Sequence, residues 1–143
     1  MIDIAPYARI LASEILSAYQ PSDDRLRVNT DLQTLTMSID LAVPCGLILN
    51  ELLSNAFKHA FKSGQQGSIT VTVRASDAVG VLEVADDGVG VPADLNIETQ
   101  NSLGLRLIRS LVNQIDGTFD LVPQHPGTRA RVTFALEEHA HRS

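Results

Sequence analysis

Apolar positions along the chain change their period several times, and each change marks an element. In residues 2–19, Ile4, Tyr7, Ala8, Ile10, Leu11, Ile15 and Leu16 recur at the spacing of an amphipathic helix. Pro21-Ser22-Asp23-Asp24 interrupts it. Leu26, Val28 and Leu32 then alternate with polar residues, which predicts a short strand, and a second short strand is expected around 35–39. From 41 to about 61 the helical spacing returns in the longest apolar-periodic run of the chain. Turn residues fill 62–67. Ile69, Val71 and Val73 alternate with Thr70, Thr72 and Arg74, a clear strand, and 79–85 reads as its partner through Ser76-Asp77-Ala78.

Residues 87–101 contain Gly88, Gly90 and Pro92 and little periodicity, so they form a long loop. A loop of that length in a small domain usually carries function or moves. Residues 102–115 are helical again, with Ser102 as N-cap and Asp116-Gly117 as the stop. Residues 118–122 and 128–136 make a last strand pair, followed by a polar, frayed tail. This order predicts an α+β protein. It is a two-layer α/β sandwich whose mixed, mostly antiparallel sheet is covered on one face by helices. The strand pairs read as hairpins rather than crossovers, which argues against Rossmann and P-loop architectures. No repeat or internal linker is visible, so residues 1–143 read as one domain with its core over about 25–136 and an N-terminal helix over 1–20.

Composition changes this picture only in places. A chain of 143 residues can bury a continuous core. With aromatics at 4% and no Trp, that core must be Leu, Val, Ile and Ala. The net charge of -6 argues against a nucleic-acid module, which normally carries a basic patch. It is silent about nucleotides, because a divalent cation and backbone N–H groups can neutralise phosphates locally. Cys45 is the single cysteine, so no internal disulfide or cysteine metal cluster is possible, and its apolar surroundings predict a packed thiol. No apolar run approaches the roughly 18 residues of a membrane span, and no signal-peptide pattern opens the chain. The expectation is a cytoplasmic protein, or cytoplasmic piece of a longer one, without membrane contact.

The candidate chemistry begins in Asn50-Glu51-Leu52-Leu53-Ser54-Asn55-Ala56-Phe57-Lys58-His59-Ala60-Phe61. At about 100° per residue, Glu51, Asn55, Lys58, His59 and Lys62 share an arc of roughly 100°. Leu49, Leu52, Leu53, Ala56, Phe57 and Ala60 take the other side. An ordinary amphipathic helix also has a solvated face. This one, however, holds a carboxylate, a neutral oxygen ligand and an ammonium about one turn apart. A hard cation such as Mg²⁺ takes oxygen ligands and leans on substrate phosphates, so the amide oxygen of Asn55 would suffice on the protein side.

Two loops add to it. Val84-Ala85-Asp86-Asp87-Gly88-Val89-Gly90-Val91-Pro92 runs from a strand end into a loop whose glycines allow close backbone approach. An Asp there can accept from a flat donor such as the adenine amine, or simply cap a tight turn. Ser102-Leu103-Gly104-Leu105-Arg106-Leu107-Ile108 opens a helix whose free N–H groups attract anions. No G-x-x-x-x-G-K-[ST] motif occurs, so any phosphate binding uses another geometry.

Singly modest, these motifs stand in a telling order. The sequence resembles the superfamily of gyrase, heat-shock chaperone, histidine kinase and mismatch-repair ATPases, and within it the catalytic domain of bacterial sensor histidine kinases. Residues 50–61 resemble the N box, Asp86, Gly88 and Gly90 the first glycine box, Leu103-Gly104-Leu105 the second, and Gly127-Thr128 the last glycine motif. The resemblance implies the corresponding ATPase fold and roles for each residue. Asn55 would ligate Mg²⁺, Lys58 and His59 would face the ATP phosphates, and Glu51 would polarise the reacting group. Asp86 would read the adenine amine, supported by the Thr128 hydroxyl through water. Gly88, Gly90, Ser102, Leu103, Gly104 and Leu105 would complete the ATP pocket. Ser102 stands where the second box usually has Gly, and the phenylalanine box of larger kinases is not evident.

None of the four histidines, His59, His125, His139 and His141, sits in a phosphoacceptor pattern. The resemblance therefore implies phosphotransfer to a histidine on a separate helical dimerisation domain, then to a response-regulator receiver Asp. Two alternatives stay open: an anti-sigma-factor serine kinase of the same superfamily, and a nucleotide-binding scaffold without phosphotransfer.

Overall fold

A computed structural model of the chain describes residues 1–19, 26–59, 66–88, 103–124 and 126–136. Strand β1 (Ile2–Asp3) leads into helix α1 (Ala5–Tyr19), followed by β2 (Leu26–Leu32), β3 (Thr36–Met37) and helix α2 (Ile39–His59). Then come β4 (Gly67–Ser76), β5 (Val79–Asp86), helix α3 (Leu103–Gln114), β6 (Thr118–Pro123) and β7 (Thr128–Ala135). The main sheet has the order β2-β4-β5-β7-β6, and β1 and β3 form a separate two-stranded sheet.

Alternation explains the layers. Ile69, Val71 and Val73 of β4, Leu82 and Val84 of β5, and Ala130, Val132 and Phe134 of β7 belong to one core. In a strand these positions share a face. α1 packs against β2 and β4, α2 against β5, and α3 against β6. All three helices thus cover that face, as expected of the two-layer sandwich. The other face is polar, and Glu83 accepts there from Arg131 Nε at 2.8 Å, with Arg129 Nε 3.6 Å away.

The topology corrects one expectation. β4–β5 and β6–β7 are antiparallel hairpins, but β2 lies parallel to β4, from Leu26 opposite Gly67 to Leu32 opposite Val73. A parallel pair needs a crossover, and α2 is that crossover. Residues 35–39 likewise do not extend the main sheet. Thr36 and Met37 pair with Asp3 and Ile2, which the helical reading of 1–20 had absorbed. The side chain of Asp3 fixes this corner, since Oδ1 accepts from the N–H of Ala5 at 3.1 Å and of Leu35 at 3.0 Å. Asp3 thereby satisfies the first free N–H of α1, while Ile4 C=O accepts the first intrahelical bond, from Ala8 N–H at 3.0 Å.

Candidate nucleotide-binding site

α2 starts where Ser38 C=O accepts from the N–H of Leu41 and Ala42, at 3.2 and 2.9 Å. From there its apolar side goes inward. Ile48, Leu49 and Leu53 are fully buried, with Leu52 and Phe57 nearly so. Burying each such side chain contributes about 1.5–3 kcal/mol, so the rotation of the helix about its axis is fixed. Glu51 and Asn55 are left half-buried and Lys58 exposed, as the 100° periodicity requires. His59 closes the helix; its side chain lies outside the described residues, as do Gly90 and Ser102.

Against this polar stripe lies the first turn of α3. A Cβ added at Gly104 would stand 3.1 Å from Asn55 Oδ1, 3.1 Å from Glu51 Oε2 and 3.4 Å from Asn55 Nδ2. Gly104, about fifty residues further along the chain, is thus brought against two side chains one turn apart on α2, and the lack of a side chain at 104 leaves that approach free of crowding. The positive end of the α3 dipole lies beside the Glu51 carboxylate. Ile108, Leu111 and Val112 seat α3 in the core, with Leu105 packed against it, and this holds its first turn in place. Leu103, by contrast, is 80% exposed and does not join the contact.

A second cluster forms at the end of β5. By alternation Asp86 follows Leu82 and Val84 onto the helix-covered face of the sheet. It stands directly opposite Thr128, the first residue of β7. Its Oδ1 accepts from Gly88 N–H at 3.0 Å, the Asx-type turn that an Asp-x-Gly sequence favours. A further backbone bond comes from Thr128. Burial pushes the Asp86 carboxyl above its ordinary value, the two backbone N–H donors pull it down, and the neighbouring Asp87 charge adds to the rise. Desolvation wins.

Gly127 closes this cluster from behind. Its φ is +104°, and a Cβ there would lie 1.8 Å from Asp86 O and 2.8 Å from Asp87 Cα. Only glycine fits. Asp87 has a different task. Its Oδ1 accepts from Ser68 N–H at 2.8 Å, and Ser68 Oγ lies 3.1 Å from Oδ2. It ties the exit of β5 to the entry of β4, which is a role that sequence reading missed because nothing in the spacing of 68 and 87 marks it.

The donor set fits a hard divalent cation. An amide oxygen and a carboxylate supply the oxygen ligands such a cation takes, and too few of them for a self-sufficient cage. Asp86, half-buried and anchored by backbone, has an oxygen with lone pairs to offer a flat amine.

The family model for the histidine kinase-, DNA gyrase B-, and HSP90-like ATPases matches residues 41–139. Blue-light-activated histidine kinase 2 of Erythrobacter litoralis is 30% identical over 129 residues, 87% of this chain and 37% of that protein. Sensor histidine kinase PdtaS of Mycobacterium tuberculosis is 32% identical over 101 residues, 69% of this chain and 20% of that one. The chain thus spans well under half the length of both. Among solved structures, the histidine kinase domain of the Erythrobacter litoralis EL346 blue-light activated histidine kinase superposes with a TM-score of 0.88 at 25% identity, over 97% of this chain and 68% of that one.

Proposed function

Because the chain belongs to the histidine kinase-, DNA gyrase B-, and HSP90-like ATPase family, we propose that it is the ATP-binding catalytic domain of a two-component sensor histidine kinase. It would pass the γ-phosphate of ATP to a histidine on a separate helical dimerisation domain, from which a response-regulator Asp is charged. The observation that carries this reading is the approach of Gly104 to Asn55 and Glu51. It brings the second glycine box onto the N box. The names of both curated relatives support the same reading.

In this reading Asp86 accepts a hydrogen bond from the exocyclic amine of adenine, and Thr128 steadies it. Gly88 and Gly90 let the nucleotide approach the backbone, and Ser102, Leu103, Gly104 and Leu105 close over the phosphates. Asn55 lends its amide oxygen to Mg²⁺, which when bound neutralises charge on the phosphate oxygens. Lys58 and His59 face the phosphates, and Glu51 polarises the incoming imidazole. Phosphoryl transfer leaves little covalent chemistry to the protein, so positioning and charge do most of the work. The reaction belongs in the cytoplasm, where ATP is supplied. Among the described residues no helix is long and apolar enough to cross a membrane.

The test has two steps. Titration with a non-hydrolysable ATP analogue should show binding that strengthens when Mg²⁺ is added. Incubation with γ-labelled ATP and a histidine-bearing helical acceptor domain should then give acid-labile phosphate on that domain. Acid-stable phosphoserine on an anti-sigma antagonist would make the chain a serine kinase instead. Normal binding with transfer to neither acceptor would make it a scaffold.

A further inference from the structure

The ring of Tyr19, the last residue of α1, stacks on Phe57 in the last turn of α2, with centroids 5.4 Å apart and planes 16° from parallel. Phe57 is 3% exposed, while Tyr19 is 40% exposed. The next residue after Phe57 is Lys58, exposed on the polar stripe. The last turn of a helix is its weakest part, because its carbonyls have no partners further along. Its geometry must come from packing.

We propose that Tyr19 is a positioning residue for the phosphate-facing end of the site. By clamping Phe57, it holds the final turn of α2 in register and so aims the Lys58 ammonium. The inference rests on the phosphate role of Lys58 given above. The aromatic ring does the clamping, since an offset stack needs no hydroxyl. A clamp on the last turn should affect what Lys58 touches and leave the adenine end alone, because Asp86 is held by β5 and β7 rather than by α2. ADP binding should therefore survive where the preference for ATP over ADP does not.

The experiment measures the ratio of ATP-analogue to ADP affinity, with Mg²⁺, for the parent, Tyr19→Ala, Tyr19→Phe, Lys58→Ala and the double variant. Lys58→Ala should lower the ratio about tenfold, the weight of one charge-assisted contact. Tyr19→Ala should lower it about 3- to 10-fold with ADP affinity held, while Tyr19→Phe keeps the parent ratio. The double variant should match Lys58→Ala, because the two changes act through one group. If Tyr19→Ala keeps the parent ratio while Lys58→Ala loses it, or if Tyr19→Ala weakens ATP and ADP alike, the clamp is refuted. If Lys58→Ala itself keeps the ratio, the phosphate reading of Lys58 falls and the role of Tyr19 falls with it. Tyr19 is partly exposed, so its variants should fold; if Tyr19→Ala does not, Tyr19→Leu replaces it under the same criteria.

Discussion

Around Asp86 the backbone does the holding: Gly88 and Thr128 bond its carboxylate, and Gly127 presses on its carbonyl. Around Asn55 the neighbours are side chains, Glu51 beside it and the bare α-carbon of Gly104 above. The first region is rigid because it is woven into two strands. The second depends on two helices keeping their places on the sheet. A flat, invariant adenine suits the first kind of construction. Phosphates that must be admitted, reacted and released suit the second.

The two glycines offer the hardest test of that contrast. Gly127→Ala forces a Cβ into Asp86 O at a left-handed φ, so the backbone itself must move. It should destabilise the fold by about 2–5 kcal/mol, the sum of overpacking and backbone strain, as urea denaturation would measure. Asn55→Ala, in contrast, should fold normally and lose the Mg²⁺-dependent part of ATP-analogue affinity by about 100-fold, or ~2.8 kcal/mol, in paired titrations. Wild-type response to Mg²⁺ in that variant would remove Asn55 from the metal site.

Asp86→Asn probes the rigid half more gently. It replaces a charge-assisted hydrogen bond worth about 1.5–3 kcal/mol, so affinity should fall about 10- to 100-fold by calorimetry. The pH profile gives a second reading. Burial raises the Asp86 carboxyl above 3.8, so it takes up its proton at a higher pH than a free Asp. Parent affinity should then weaken on acidification with a midpoint above that value, and the Asn variant should lack this step. The linkage sign follows. A raised folded pKa means that this group's contribution to stability is present at low pH and lost as pH rises through the folded value. The unliganded Asn variant should therefore be no less stable than the parent at neutral pH.

Gly104→Ala should have the smallest effect. Its Cβ would meet only the mobile ends of Asn55 and Glu51 at 3.1 Å. Alanine favours a helix over glycine by about 1 kcal/mol, so stability should hold or rise while ATP affinity drops roughly fivefold. A loss of stability equal to that of Gly127→Ala would erase the distinction between the two regions.

Periodicity made much of this visible without coordinates. The 100° rule alone put Glu51, Asn55 and Lys58 on one side of α2 and Phe57 on the other, because burial of Leu49, Leu52 and Leu53 leaves no other rotation. Alternation located β4, β5 and β7 for the same reason. It says nothing about strand direction, so the parallel β2–β4 pair was misread as part of a hairpin scheme. The strand expected around 35–39 is β3, but its partner β1, two residues long, is too short to show any period. The contact of Gly104 with Asn55, the Asp87–Ser68 tie and the Tyr19–Phe57 stack are all products of tertiary closure. No local pattern encodes them.

The crossover through α2 also sets an order of events for the refolding chain. Hairpins β4–β5 and β6–β7 close between neighbours, an event of about 1–10 μs. β2 can pair with β4 only after the long segment between Leu32 and Gly67 closes its loop, a slower event than closing a hairpin. Until then Leu26 and Val28 stay on an unmated edge. Pulse-labelled hydrogen exchange should find the β4–β5 amides protected before those of β2, with α2 docking in between.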